Sequence, residues 1–238
     1  MRLLDLSLST PEENLACDEV LLDLAEEGGS GETLHFWEPT GHFVVLGYGN
    51  RIETEVHTIF CRENNIPIFR RCTGGGTVLQ GPGILNYSLV LSSDSAGPCH
   101  SISSANTFIM ERHRQMIASL LPAPVQIQGH TDLTISGLKF SGNSQRRKKR
   151  FLLFHGSFLL CFDLSLIERA LPMPSKQPHY RKARPHSEFL TNLNLPSEAI
   201  KTAVRDSWKA DDSVQDLPLE RISSLARVKY LSDEWNLR

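Results

Sequence analysis

The chain of 238 residues is 40% hydrophobic and 22% charged, with a formal net charge of −2. That apolar share supports a core without disulfides or metals, in one large domain or two small ones. The near-neutral balance argues against a general nucleic-acid binder, and no run reaches the ~18 apolar residues that a membrane helix needs.

Met1 to Leu6 includes Asp5 and has too short an apolar run for a signal peptide, so a cytoplasmic protein is expected. Thr10-Pro11-Glu12-Glu13 reads as a capping box with proline at the first helical position. Leu15, Ala16, Val20, Leu21 and Leu24 then recur at helical spacing until Gly28-Gly29. Strands are predicted over Thr33 to Trp37 and Phe43 to Leu46, and a short helix over Val56 to Asn64. The apolar run Ile66 to Phe69 predicts a strand, and Ile84 to Leu91 another. A longer helix from about Ser104 carries Phe108, Ile109, Met116, Ile117 and Leu120 on one side and ends before Pro122.

Consecutive antiparallel strands are expected over Val125 to Gln128, Leu133 to Ile135, Leu138 to Ser141 and Phe151 to Phe162, joined by short polar turns. Beyond Asp163, five prolines punctuate a helical and loop-like region, with helices expected over Ser197 to Trp208 and Leu219 to Val228. No repeat or long linker divides the chain. The pattern predicts a single α+β domain over 1–238, with a mixed, mostly antiparallel sheet flanked by helices.

Chemistry concentrates in two segments. In Arg70-Arg71-Cys72-Thr73-Gly74-Gly75-Gly76-Thr77-Val78-Leu79, two arginines close a strand and three glycines follow. A turn without Cβ atoms lets backbone N–H groups approach a ligand together, and cations beside them favour a phosphate or carboxylate. The competing reading is a glycine-rich hairpin with solvated arginines. The second segment runs from Asp132 to Gln145 and contains Lys139 inside an alternating strand pattern. A lone strand lysine is commonly solvated, but Ser141-Gly142-Asn143-Ser144 after it leaves room for a ligand. An ammonium about 4 Å from an anionic oxygen is worth roughly 4 kcal/mol at an effective dielectric of about 20.

Taken together with His155-Gly156-Ser157, these segments resemble the lipoate–protein ligase A family, within the wider group of biotin and lipoate protein ligases. Trp37-x-Pro39 before Val44 to Gly47, Asn86-Tyr87-Ser88, Thr191-Asn192-Leu193 and the ending Lys229-Tyr230-Leu231 with Glu234-Trp235-Asn236 resemble it too. The likeness spans nearly the whole chain in order. It implies a class II synthetase or biotin protein ligase-like fold, and an enzyme that activates lipoate with ATP to lipoyl-AMP. The acyl group then passes to a lysine of a lipoyl domain, of a 2-oxoacid dehydrogenase E2 or of the glycine cleavage H protein.

By the same resemblance, Arg70, Arg71, the Gly74, Gly75 and Gly76 loop, Thr77, Val78 and Leu79 bind the nucleotide phosphate. Asp132 lies near the adenylate or its Mg²⁺, and Lys139 bridges the carboxylate and phosphate. Gly75, Tyr87, Gly142, Ser144, His155 and Gly156, with Lys139, contact lipoate; Val78 is a further candidate wall of the acyl slot. A hydrogen-bonded core histidine is an equal reading of His155.

The chain departs from the pattern in three places. Gln80-Gly81-Pro82-Gly83 stands where many members carry His-Asp. Octanoyltransferases of this fold need a thiol before the lysine strand or after the His-Gly strand. Gly129 to Asp132 and Leu171 to Pro174 hold none there. Of the five scattered cysteines, which lack a CxxC pair and suit a reducing compartment, Cys161 reads as buried packing and Cys72 as a weak nucleophile candidate. Third, many family ligases continue into a small C-terminal domain, so a separate accessory-domain protein is a possible partner. An octanoyl- or lipoyltransferase without activation, and a non-catalytic binding module, stay open as alternatives. Biotin is disfavoured because the chain lacks a Gly-Arg-Gly-Arg type loop. Arg146-Arg147-Lys148-Lys149-Arg150 reads as a solvated turn, or as docking charge aided by Lys176, Arg181, Lys182 and Arg184.

Overall fold

The computed structural model describes residues 1–238. Strand β1 (Arg2–Asp5) leads into helix α1 (Pro11–Glu27), whose start is capped by Thr10 accepting from the Glu13 amide. Gly28 closes α1 with φ of 85°, a left-handed conformation that glycine adopts without a Cβ penalty. Strands β2 (Thr33–Trp37) and β3 (Phe43–Leu46) follow as expected. A short helix outside the expected ranges, α2 (Ile52–Glu55), precedes α3 (Thr58–Glu63), which is the helix expected over Val56 to Asn64. Strand β4 (Ile68–Arg70), the glycine loop, β5 (Val78–Gln80) and β6 (Ile84–Ser92) come next.

Helix α4 (Ile102–Ala118) starts two residues earlier than its apolar pattern implies, because Ser101 and Ser104 form a reciprocal capping box. Strands β7 (Val125–Gln128), β8 (Asp132–Ile135), β9 (Leu138–Arg147) and β10 (Phe151–Leu159) form the expected meander. Strand β9 runs six residues beyond Ser141, since Gly142 to Arg147 pair along β10 in spite of their small and polar side chains. The rest holds α5 (Ser165–Ala170), α6 (His186–Phe189), α7 (Ser197–Trp208), β11 (Asp212–Ser213), α8 (Leu219–Leu225) and α9 (Asp233–Asn236).

The main sheet has eight strands in the order β11-β1-β2-β6-β10-β9-β8-β7, and a second sheet has the order β4-β3-β5. Only β11-β1, β1-β2 and β3-β4 are parallel, so the α+β architecture is mixed and mostly antiparallel. Strand alternation sorts the core into faces. Leu152, Phe154 and Phe158 of β10 join Tyr87 and Leu89 of β6 in a cluster with Ile109 of α4 and Ile200 of α7. Leu153 and Val90 turn the other way, toward Leu15, Val20 and Leu21 of α1 and Tyr230 near the C-terminus. A third cluster joins the small sheet to α5 through Val44, Leu46, Leu79 and Ile167. No helix is long and apolar enough to cross a membrane.

Candidate active site

Adjacent strand residues point to opposite sides, and this divides the arginine pair. Arg70 is fully buried. Its guanidinium donates to the carbonyls of Gly47, Tyr48 and Asn50 at 3.0, 3.2 and 2.6 Å. It also donates to those of Trp235, Asn236 and Arg238 at 2.9, 3.0 and 2.6 Å. With every N–H so engaged, Arg70 ties the C-terminal segment to the body of the protein, and the expected phosphate contact is corrected. Arg71 turns to the loop, donating from Nε to Thr73 Oγ1 at 3.0 Å and from Nη2 to the carbonyls of Gly74 and Gly76. Burial pushes its pKa down to about 10, which leaves it cationic at neutral pH. Arg71 thereby braces the loop from beneath, and its Nη1, which donates only to the Val45 carbonyl, keeps one N–H without a protein acceptor.

What Arg71 holds is a loop whose carbonyls point inward and whose amides point out. Gly74, Gly75 and Gly76 are exposed, and none of their three N–H groups has a protein acceptor. Gly75 has φ of 86°, the conformation that turns successive amides toward one point. The Asn50 amide pins the far side, with its oxygen toward Thr77 N and Oγ1 and its nitrogen toward the Gly75 carbonyl. Val78 is half-buried at the end of this loop, and Leu79 is packed beneath it in the small sheet.

Lys139 and Asp132 meet across the β8–β9 ladder, where a bulge between Leu133 and Thr134 shifts the register. Lys139 Nζ lies 2.8 Å from Asp132 Oδ1, and Tyr180 donates to Asp132 Oδ2 at 2.7 Å. Both carboxylate oxygens are therefore occupied. No cluster of three His, Cys, Asp or Glu side chains could hold a metal ion. Each Asp132 oxygen keeps a lone pair beside these partners. Asp132 orients the ammonium, and Tyr180, from the proline-rich segment, escaped the sequence reading because only the fold brings it there.

The residues on β9 and β10 complete the cleft. His155 faces Ser144 directly across the ladder. Ser144 Oγ donates to Thr73 Oγ1 at 2.7 Å, Thr73 Oγ1 lies 2.6 Å from His155 Nε2, and His155 Nδ1 lies 3.0 Å from Asp18 Oδ2. The second Asp18 oxygen is 3.1 Å from His35 Nδ1, while His35 Nε2 faces the Leu6 carbonyl at 3.0 Å. Burial alone would raise the Asp18 pKa, but the hydrogen bonds of His155 and His35 outweigh it and hold the carboxyl well below its ordinary value.

Both segments converge on one face. A Cβ built on Gly75 would stand 3.4 Å from Ser144 Cβ, and one on Gly142 would stand 2.6 Å from Lys139 Nζ. Gly142 and Ser144 project to the same side of β9, about 7 Å apart at the usual strand rise. The ammonium and the hydroxyl chain thus lie on one face of the sheet beside the loop of free glycine amides, and the exposed space between them is the candidate opening. Tyr87 and Gly156 lie on the opposite face. The Tyr87 ring stacks on Phe158 in the core, and the absent Gly156 side chain admits that of Asn143, to which Tyr87 donates. Neither lines the opening, which corrects their lipoate assignment.

The thiols and the basic hairpin also need correction. Cys161 is exposed, not buried, and Cys72 is buried, with burial pushing its pKa up to about 11. Arg146 pairs with Glu19 and Lys148 with Asp23, so those two charges are neutralised by α1. Arg181 is buried against Phe189, which removes it from a docking surface.

Comparison with known proteins places these features in a lineage. The model of the lipoyl protein ligase A/B catalytic domain matches residues 10–205. The chain is 25% identical over 272 residues to octanoyltransferase LipM of Geobacillus kaustophilus, spanning 100% of this chain and 98% of that protein. It is 26% identical over 210 residues to lipoate-protein ligase A subunit 1 of Thermoplasma acidophilum, spanning 82% of this chain and 80% of that one. A crystal structure of lipoate-protein ligase A bound with ATP shares the fold, with a TM-score of 0.82 at 24% identity over 99% of this chain and 98% of that chain.

Proposed function

Because the chain belongs to the lipoyl protein ligase A/B catalytic-domain family, we propose that it activates lipoate with ATP and transfers the acyl group to a lysine of a lipoyl domain. The observation that carries this reading is one opening with three free glycine amides, a fixed ammonium and no thiol. A carboxylate attacking the α-phosphate brings two anions together, and the amides and Lys139 offset that charge in both the approach and the transition state. The product is a mixed anhydride, reactive enough for an amine to attack without a protein nucleophile. Positioning and charge neutralisation are the remaining tasks. A lipoate-protein ligase bound with ATP on the same fold supports nucleotide as a substrate.

The carrier is a lipoyl domain of a 2-oxoacid dehydrogenase E2 or the glycine cleavage H protein, in the cytoplasm. A separate accessory-domain protein is a candidate helper for the activation step. The similarity to an octanoyltransferase favours a second reading, acyl transfer from a carrier thioester without ATP. Against it, four of the five cysteines are buried, and the exposed Cys161 follows His155 by six residues of chain, about 20 Å if extended. Lipoate-dependent ATP–pyrophosphate exchange decides between them. Exchange that disappears in Lys139→Ala supports the ligase. Octanoyl transfer from a carrier thioester, with no exchange under any condition, would replace it by the transferase.

A further inference from the structure

The chain Ser144–Thr73–His155–Asp18 has a direction. His155 Nδ1 faces a carboxylate that can only accept, so that nitrogen donates and Nε2 is left as an acceptor. Thr73 Oγ1 therefore donates to His155 Nε2 and accepts from Ser144 Oγ and from Arg71 Nε. Ser144 gives its only proton to Thr73 and has no other protein partner, so its lone pairs are free at the mouth of the opening. Every proton in the series points inward, toward His155. Behind it, the two His35 nitrogens face Asp18 Oδ1 and the Leu6 carbonyl, which fixes the far side of the carboxylate.

We infer that this series is the proton exit for acyl transfer: Ser144 accepts a proton from the attacking amine, and Thr73 passes one on to His155, which Asp18 holds in place. The inference rests on the function proposed above. The carrier lysine attacks as the neutral amine, forming a C–N bond to the acyl carbon. The bond from that carbon to the phosphate oxygen breaks, and AMP leaves with the electron pair. The nitrogen must then lose one proton. It goes to Ser144 Oγ, the Ser144 proton moves to Thr73 Oγ1, and the Thr73 proton moves to His155 Nε2. Each hydroxyl ends as it began, and His155 ends as an imidazolium beside a carboxylate. Ser144 is the catalytic residue that touches the substrate; Thr73, His155 and Asp18 act through it.

The placement suits this chemistry better than a purely structural role. A buried carboxylate shared by two imidazoles is expensive to desolvate, and a core would be cheaper to build from apolar residues. The series ends at an exposed-side hydroxyl about 7 Å along β9 from the glycine over which Lys139 lies, so the proton leaves on one side while negative charge is held on the other. The charged and titratable groups facing His155 are Asp18 from α1, His35 from β2 behind Asp18, Arg71 through Thr73, and Arg146 further along the same face of β9.

The test is single-turnover transfer from supplied lipoyl-AMP to an isolated lipoyl domain, followed against pH with the full chain. In the wild type the logarithm of the rate rises with pH with a slope above one over part of the range, because both a free proton acceptor and the neutral amine are required. His155→Gln is expected to be at least ~100-fold slower at neutral pH and to keep a slope of about one throughout, with lipoyl-AMP affinity unchanged. Thr73→Val should behave in the same way and Thr73→Ser should restore the rate, which keeps the test available if His155→Gln misfolds. A wild type that transfers beside variants with the same pH slope and rate overturns the relay alone. A wild type that transfers nothing removes the proposed function and the relay with it.

Discussion

Gly142→Ala isolates the position of the ammonium from its presence. A Cβ at 142 would stand 2.6 Å from Lys139 Nζ and 2.8 Å from its Cε, against the 3.4–4 Å of ordinary contact. The neighbour is the end of a flexible side chain, so it yields, and Nζ must retreat by about 1 Å. A displacement of that size at a reacting centre costs on the order of 10²-fold in rate, about 2.7 kcal/mol of transition-state stabilisation. The fold should be unharmed, since the φ of Gly142 lies outside the left-handed region and alanine in a strand regains roughly 0.5–1 kcal/mol of backbone entropy. The assay pairs lipoylation of a carrier domain with thermal unfolding, using Gly49→Ala, where a Cβ meets nothing within 4 Å, as the control. Activity within twofold of the wild type in a correctly folded variant would place the chemistry away from Lys139.

Further outcomes follow from the other buried charges and thiols. Arg70→Met removes the donor from six buried or half-buried backbone oxygens, of which the Gly47 carbonyl alone keeps another partner, the Asn50 amide, and should lower unfolding free energy by at least ~3 kcal/mol in urea titrations; a variant of native stability with weakened ATP affinity would return Arg70 to the phosphate. Asp18 and Glu19 both have pKa values held below the ordinary carboxylate range, Asp18 by His155 and His35, Glu19 by Lys229, Tyr230 and Arg146, against the opposing effect of burial. Such groups stabilise the fold above their unfolded pKa of about 4 and lose that contribution as pH falls below it. The urea midpoint should hold from pH 7 to pH 5 and drop below about pH 4, more shallowly in Asp18→Asn; an unchanged slope in that variant would contradict the assignment. An alkylating reagent at neutral pH should label exposed Cys161 and spare Cys72, and Cys161→Ser should retain full activity. Loss of activity in that variant would revive a covalent mechanism.

The strands and long helices were legible because their apolar residues repeat at a period of 2 or near 3.6, and that signal is local. The glycine loop and Lys139 were legible as well, since backbone freedom and an inward strand position can be read from neighbours. The arginine pair shows where such reading stops. Alternation says that Arg70 and Arg71 diverge, but the partners that occupy the Arg70 guanidinium lie at residues 235–238, some 165 positions away. Tyr87 and Gly156 stand on the face away from Ser144 and His155 for a related reason. The bulge at 133–134 and the extension of β9 to Arg147 set which side chains share the cleft, and neither has a strong local signature. Asp18 did leave a trace, a carboxylate within the apolar stripe of Leu15, Leu22 and Ala25 at helical spacing. A charge in such a stripe demands a partner, though not a named one.

Helix α1 therefore serves two layers of the molecule at once. It buries Leu15, Val20 and Leu21 against the sheet, and with them Asp18 and Glu19, exposed by only 2% and 6%. Two adjacent carboxylates withdrawn from water cost several kcal/mol each unless fully partnered. Their partners come from the elements that build the opening and its surroundings: His155 on β10, His35 on β2, Arg146 on β9, and Lys229 with Tyr230 near the C-terminus. Docking of the helix and assembly of the cleft thus draw on the same bonds. Removing either carboxylate should lower stability and acyl transfer together, whereas Gly142→Ala lowers transfer alone. That contrast separates the residues that build the opening from the ammonium whose position within it is set by Gly142.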